Sequence, residues 1–220
     1  MKTLVIAPHP DDETLGCGGT LLRRKAEGAD TAWLMVTAIT EEGGWPIEQV
    51  NQRDTEIDRV AELYNFNSVF RLDFPTARLD SFPIADIIGG IAEALQKFQP
   101  SELMIPHPAD VHTDHRVVFD AAAACSKWFR HNYVKRVLAY ETVSETEFGF
   151  GVGNTFQPNV FIDIGDHLER KLKIMSVYAT ELGPFPFPRS LEVIRAKAQL
   201  HGATAGFSFA EAFQLLRERN

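Results

Sequence analysis

Only two cysteines, Cys17 and Cys125, occur in 220 residues, and they form no CxxC pair. A disulfide framework is therefore not expected, and a reducing compartment is the simplest setting. Basic residues are in deficit: 22 Lys and Arg against 30 Asp and Glu leave a net charge of −8. That argues against an electrostatic surface for nucleic acid or for an anionic membrane. Long apolar runs are missing as well. The opening run at residues 4–7 is too short for a signal-peptide core, and no stretch is long enough to span a bilayer. Repeats and low-complexity tracts are absent. These absences predict a soluble cytoplasmic protein with neither nucleic-acid nor membrane partners.

What is present is a chain able to build a core. Apolar residues make up 45% and charged residues 24%, which excludes a disordered polymer. The length fits one α/β domain over residues 1–220 more readily than two small ones. Continuous apolar runs at residues 3–7, 31–39 and 103–105 read as strands buried on both faces, with shorter strands at 69–72, 137–140 and 160–163. Helical spacing marks residues 49–64, 84–98, 117–129, 168–178 and 191–200. A short helix carries Leu21, Leu22 and Ala26, preceded by Gly16, Gly18 and Gly19. Strand and helix alternate, so a mainly parallel sheet covered on both faces is expected. Two loops stand out, residues 142–158, rich in Gly and Phe, and residues 183–188, in which Pro alternates with Phe.

The chemistry sits in two clusters. Ala7-Pro8-His9-Pro10-Asp11-Asp12-Glu13 follows the first strand, and His107-Pro108-Ala109-Asp110-Val111-His112-Thr113-Asp114-His115 follows the strand at 103–105. Together they hold four of the seven histidines. In an open α/β sheet, ligands bind beyond the carboxyl ends of the strands, so neighbouring strands would bring the clusters together. Imidazole and carboxylate are the usual ligands of a catalytic divalent metal, and a catalytic zinc keeps three protein ligands with one position open. His9, Asp12 and His115 would make such a set, leaving Asp11, His112 and Asp114 for other work. A carboxylate beside the metal can deprotonate the attacking water. A histidine across from it can steady an oxyanion or protonate a leaving amine, and a neighbouring aspartate can fix its tautomer.

These motifs, with Gly16-Cys17-Gly18-Gly19, resemble the PIG-L or LmbE-like family of zinc-dependent N-deacetylases. The likeness extends to the stretch around Arg53 and residues 56–63, to residues 159–164 with Glu169 and Lys171, and to Pro188-Arg189-Ser190 and Ala210-Glu211-Ala212-Phe213. The resemblance implies a Rossmann-like three-layer sandwich that binds no dinucleotide. It implies that His9, Asp12 and His115 hold Zn2+, or another divalent ion such as Fe2+ or Co2+. By the same pattern Asp11 is the general base, His112 the electrophile or acid, Asp114 its support, and Arg53 a substrate contact. The implied substrate is a small N-acetylated sugar of the N-acetylglucosamine type or its conjugate, giving a free amine and acetate. Hydrolysis of a non-sugar amide or ester, and a non-catalytic metal-binding role, are the alternatives. A symmetric homo-oligomer is an open expectation. This chain departs from the pattern at His201, where arginine is expected, and at Thr40-Glu41-Glu42-Gly43, which replaces a glycine–glutamate pair.

Several residues have plainer readings. Asp11 and Asp12 would serve as helix caps. Gly16, Gly18 and Gly19 form GxGG rather than a dinucleotide fingerprint, and three adjacent carboxylates would repel a pyrophosphate; tight turning and close helix–sheet packing explain them better. Cys17 reads as a small buried residue and Tyr140 as a core-edge tyrosine, and His107 and Asp110 read either as groups supporting the metal ligands or, slightly preferred, as loop residues. Phe148, Phe150, Phe185 and Phe187 are either loop anchors or a platform for substrate.

Overall fold

The computed structural model describes residues 1–150 and 155–220. Among them seven strands form one sheet in the order β3-β2-β1-β4-β5-β7-β6. The strands are β1 (Lys2–Ala7), β2 (Asp30–Ala38), β3 (Ser68–Pro75), β4 (Glu102–Pro106), β5 (Arg136–Tyr140), β6 (Val160–Asp163) and β7 (Ala210–Glu218). The first five run parallel, and β7 runs antiparallel to both β5 and β6. The helices are α1 (Asp12–Ala26), α2 (Ile47–Tyr64), α3 (Ile84–Phe98), α4 (Thr113–Cys125), α5 (Leu168–Met175) and α6 (Leu191–Ala205). They lie on both faces of the sheet. Period-two alternation sorts the strand residues: Val5 and Ala7 join the core beneath α1, α2, α5 and α6, whereas Leu4 and Ile6 join the one beneath α3 and α4.

The chain builds outward from β1 through β2 to β3, then returns to β4 on the other side. The carboxyl ends of β1 and β4 are therefore neighbours at the point where strand order reverses, with Val5 paired to Met104. That is where an open α/β sheet offers a crevice, and where both His–Asp clusters emerge.

The expected elements recur with four differences. First, α1 begins at Asp12, so the glycines lie inside the helix rather than in a turn before it. Packing is their reason: a Cβ on Gly16 would stand 2.3 Å from the Tyr140 ring, and one on Gly19 would stand 2.7 Å from Ile164. Second, α4 covers Thr113–Cys125 rather than 117–129, because His112 caps it four residues earlier than apolar spacing suggested. Third, the helices expected at 168–178 and 191–200 end at Met175 and extend to Ala205. Fourth, β7 was not anticipated as a strand. Its sequence, Ala-Glu-Ala-Phe-Gln-Leu-Leu-Arg-Glu, is made largely of good helix formers, and pairing with two neighbours overrides that preference. Of the expected loop at 142–158, residues 151–154 lie outside the described residues. No helix among the described residues is long and apolar enough to cross a membrane.

Candidate active site

Asp11 turns the chain from β1 into α1 with φ 141° and ψ −29°. A non-glycine residue with such a φ is strained by roughly 1–3 kcal/mol and persists only when its surroundings fix it. Here its carbonyl accepts from Thr14 N (2.9 Å) and Leu15 N (2.8 Å), and its own N–H donates to Glu13 Oε2 at 3.0 Å. Glu13 is held in turn by the Thr14 and Tyr178 hydroxyls, at 2.6 and 3.0 Å. Burial pushes the Glu13 carboxyl up to about 7. Asp11 occupies the N-cap position but makes no side-chain capping bond. The plain reading of a helix cap therefore does not describe its carboxylate. Its Oδ2 meets Arg189 Nη1 at 3.2 Å instead.

His9, Asp12 and His115 converge from β1 and β4. Each offers one ligand atom, and these atoms lie within 4.8 Å of one another. Asp12 Oδ2 is 3.4 Å from His9 Nδ1 and 3.3 Å from His115 Nε2. Two ligands about 2.0–2.1 Å from a tetrahedral cation stand roughly 3.3–3.4 Å apart, which matches both separations. His115 Nε2 is buried with no hydrogen-bond partner, a state that a bound cation would relieve. The residues therefore fit a divalent cation.

Both imidazoles are braced from behind. His9 Nε2 lies 3.0 Å from Asp114 Oδ2, and His115 Nδ1 lies 2.8 Å from Asp110 Oδ2. A proton on each braced nitrogen leaves the other lone pair aimed at the cation. Burial alone would lower both histidines, but their carboxylate neighbours win: His9 rises to about 9 and His115 well above its ordinary value. Burial would raise Asp12, yet the neighbouring His115 and His9 hold it far below the usual range. The cluster thus retains protons that a cation would displace.

Asp114 does not meet His112 through its carboxylate. Its oxygens accept from His9, from Ala77 N (2.7 Å) and from Leu79 N (3.1 Å), while its backbone N–H donates to His112 Nδ1 at 3.1 Å. With Nδ1 accepting, neutral His112 carries its proton on Nε2. Burial and the neighbouring His9 and His115 pull His112 down to about 4. Asp110 is not a simple loop residue: it is 1% exposed, supports His115 and accepts the Thr146 hydroxyl at 2.7 Å. His107 is buried too, with Nδ1 accepting from Ala109 N at 3.2 Å.

These groups open into a cavity of about 620 Å³. His9, Asp11, Asp12, His112 and His115 line it, and so do Arg53, Glu145, Glu181 and Arg189. Arg53 reaches the wall with its donors engaged by Pro10 O (3.0 Å), Thr180 Oγ1 (3.3 Å) and Glu181. Arg189 Nη1 bridges Asp11 and Glu181, the latter at 3.0 Å. Burial, with the negative charges of Asp12 and Glu181, raises the Asp11 carboxyl well above its ordinary value, and Arg189 opposes this. Sequence reasoning missed Arg189, Glu181, Glu145 and Trp45 as cavity residues. Spacing gave no signal, since each comes from a loop outside the two His–Asp clusters. Tyr140 donates to Ile6 O at 2.9 Å and is a core residue, and Cys17 is fully buried with its thiol raised by burial. His201 pairs with Glu141 away from the cavity. The four loop phenylalanines are exposed and lie outside the cavity lining.

A Rossmann-like sheet thus carries at its switch point a His–Asp–His cluster that fits a divalent cation, braced by two further carboxylates and open to a cavity. The family model PIG-L, described as GlcNAc-PI de-N-acetylase, matches residues 4–126, and the chain belongs to that family. It is 26% identical over 223 residues to the diacetylchitobiose deacetylase of Thermococcus kodakarensis, covering 98% of this chain and 83% of the relative. Among solved structures it is similar to the conserved protein TT1542 of Thermus thermophilus, with a TM-score of 0.80 and 26% identity across 99% of this chain and 95% of that one. It also shares its fold with the inhibitor complex of N,N'-diacetylchitobiose deacetylase from Pyrococcus horikoshii, with a TM-score of 0.77 and 23% identity across 98% and 84% of the two chains.

Proposed function

We propose that this protein is a zinc-dependent N-deacetylase that hydrolyses the acetamide of an N-acetylglucosamine-type sugar, releasing a free amine and acetate. The observation that carries this reading is the meeting, on one cavity floor, of the His9–Asp12–His115 donors, the uncapped Asp11 carboxylate and the His112 Nε2–H, in a chain of this family. The cation, held by His9, Asp12 and His115, supplies Lewis acidity toward the acetamide carbonyl and the attacking water. Iron(II) and cobalt(II) suit the same two-nitrogen, one-oxygen set, so metal content is part of the test.

Asp11 is the base. Burial and its anionic neighbours make it a stronger proton acceptor than an ordinary carboxylate, and Arg189 fixes one of its oxygens. His112 remains neutral near pH 7, because its pKa is depressed to about 4, and a nearby cation would depress it further. A neutral imidazole is a hydrogen-bond donor rather than an acid of matched strength. His112 therefore steadies the tetrahedral oxyanion through Nε2–H, and the proton collected by Asp11 is the one delivered to the departing amine. Asp114 and Asp110 orient His9 and His115.

Acetate release from N-acetylated sugars, measured after chelator treatment and again after zinc is restored, tests the reading. Activity should vanish and return. Turnover that survives complete metal removal would overturn it.

A further inference from the structure

A buried ion pair interrupts the regular course of α1. In a regular helix Gly19 N would donate to Leu15 O, and Thr20 N to Gly16 O. Here Gly19 N donates to Glu211 Oε1 at 2.8 Å, and Thr20 N donates to Glu211 Oε2 at 2.7 Å. Leu15 O accepts instead from Lys171 Nζ at 2.9 Å, and that ammonium also donates to Glu211 Oε1 at 2.7 Å. A side-chain pair thus stands in the backbone ladder, one of the few causes of a helix bend. Lys171 comes from α5 and Glu211 from β7, and both are buried, at 3% and 4% exposure. Gly18 makes room for them: a Cβ there would stand 3.1 Å from Lys171 Cγ and 2.5 Å from the Tyr64 hydroxyl.

The charges suit the two helix segments so made. The carboxylate sits at the amino end of residues 19–26, where free N–H groups point. The ammonium sits at the carboxyl end of residues 12–18, where free carbonyls point. Stability alone does not account for the arrangement. Closing the ladder would satisfy the same backbone groups without taking two charges out of water, and a buried ion pair seldom outdoes apolar residues of similar volume.

What the break supplies is direction. The segment at 19–26 is tied to the sheet, with Arg23 Nη1 on Asp163 O at 2.8 Å and Arg24 on the buried Glu102. The segment at 12–18 carries Asp12 and follows Asp11. A single turn separates the ion pair from the site: Lys171 holds Leu15 O, and Leu15 N donates to Asp11 O at 2.8 Å. At 1.5 Å per residue Asp12 lies about 10 Å from Gly19, so a change of about 6° at the break moves it by about 1 Å. Its Oδ2 stands 3.4 and 3.3 Å from two imidazole nitrogens at once, and a misplacement of about 1 Å costs a reaction about 10²-fold.

We propose that Lys171 and Glu211 are positioning residues of the active site: inserted into α1, they set the direction of residues 12–18 and so hold Asp12 toward the cation and Asp11 toward the attacking water. Neither lines the cavity. The proposal rests on the zinc deacetylase reading for the work those two carboxylates do.

The test uses Lys171→Met, which keeps the stem and removes the ammonium, and the double variant Lys171→Met/Glu211→Met, which removes both charges. The single variant buries a carboxylate without its counter-ion and can fail to fold. The double variant leaves no unpaired charge and lets the ladder close. Ile91→Ala, in the opposite core beneath α3, is the control for lost stability. Three quantities are read on folded protein: resistance to urea, the visible spectrum and Kd of bound cobalt(II), and kcat and KM for acetate release from N-acetylglucosamine with zinc bound. The double variant should resist urea about as well as wild type. It should nevertheless bind cobalt(II) about tenfold more weakly, with shifted bands, and lose kcat by about tenfold or more at a KM within about twofold. Ile91→Ala should unfold at lower urea with its cobalt spectrum unchanged and its kcat within about twofold. A wild-type spectrum, cobalt affinity and kcat in the folded Lys171 variants would overturn the proposal, as would losses that Ile91→Ala reproduces. A double variant that does not fold assigns the pair to stability and overturns it as well. Wild type that binds cobalt(II) but releases no acetate would sink the deacetylase reading alone, because spectrum and Kd still decide the placement of Asp12.

Discussion

Asp110 touches neither the cavity nor the proposed cation, yet cation affinity should depend on it. Its Oδ2 lies 2.8 Å from His115 Nδ1 and its Oδ1 accepts the Thr146 hydroxyl at 2.7 Å, both out of contact with water. The carboxylate fixes the His115 tautomer and raises the basicity of the nitrogen aimed at the cation. Asp110→Asn keeps the shape and one acceptor oxygen but loses the charge. Asp110→Ala also leaves the His115 N–H and the Thr146 hydroxyl without their acceptor. Loss of such a brace weakens metal binding by about 10–100-fold, or about 1.4–2.7 kcal/mol, so Asn belongs at the lower end and Ala at the upper. Ala should also destabilise the metal-free fold by about 1–3 kcal/mol, the desolvation cost of an orphaned buried group. Competition with a chromophoric chelator gives the zinc Kd directly. Thermal unfolding with and without zinc gives it independently, since a tenfold weaker Kd removes about 1.4 kcal/mol of the ligand's stabilisation when zinc is in excess. A folded Asp110→Ala protein that binds zinc within about twofold of wild type would refute the reasoning.

Asp11→Asn should retain zinc by elemental analysis while acetate release falls by about 10²–10⁴-fold; an equal loss of metal would mean Asp11 is a ligand rather than the base. His112→Gln, which keeps an N–H donor, should retain more kcat than His112→Ala, whereas equal losses in the two variants would count against oxyanion stabilisation. Glu141 lies below its ordinary pKa of 4.5: burial would raise it, but the hydrogen bond from His201 and the charge of Lys197 lower it. Its stabilising contribution is therefore complete above about pH 4.5 and is lost as pH falls through the lower folded value, so the stability gap between wild type and Glu141→Gln in urea titrations should narrow with acidification. Gly16→Ala forces a Cβ to within 2.3 Å of the Tyr140 ring and should cost about 1–3 kcal/mol, whereas Gly89→Ala on α3 meets nothing within 4 Å and should add up to about 1 kcal/mol; calorimetry showing the same sign for both would contradict the packing account.

Local signals dominated what could be read from the chain. Residues Ile84–Phe98 were bounded correctly because Pro83 and Pro100 stand at the two ends of a strongly amphipathic run. The buried strands were visible as apolar runs. The glycines of α1 were misplaced because helix propensity penalises them, while the close approach of Tyr140 and Ile164 that requires them lies more than a hundred residues away in sequence. In the site, the spacing of His9, Asp12 and His115 was enough to nominate a cluster. The partition of Asp110 and Asp114 was not legible: which carboxylate backs which imidazole depends on how the loop at 107–112 curls, and Asp114 meets His112 through its backbone N–H while its carboxylate turns to His9. Arg189 was equally hidden, since its partner Asp11 precedes it by most of the chain.

The position of β7 has a consequence for biosynthesis. This strand separates β5 from β6 and is made after both, and its Glu211 accepts from Gly19 N and Thr20 N of α1 at 2.8 and 2.7 Å while pairing with Lys171. All of the proposed cation ligands, the last of them His115, are made before β5 and β7. Until residues 210–218 follow, however, β5 presents an open edge, β6 lacks the strand it pairs with, and α1 lacks its anchor. The nascent chain therefore carries a template for intermolecular pairing from the completion of β5 until β7 is made. Conditions that slow elongation before that strand should lower soluble yield even when the finished enzyme is stable.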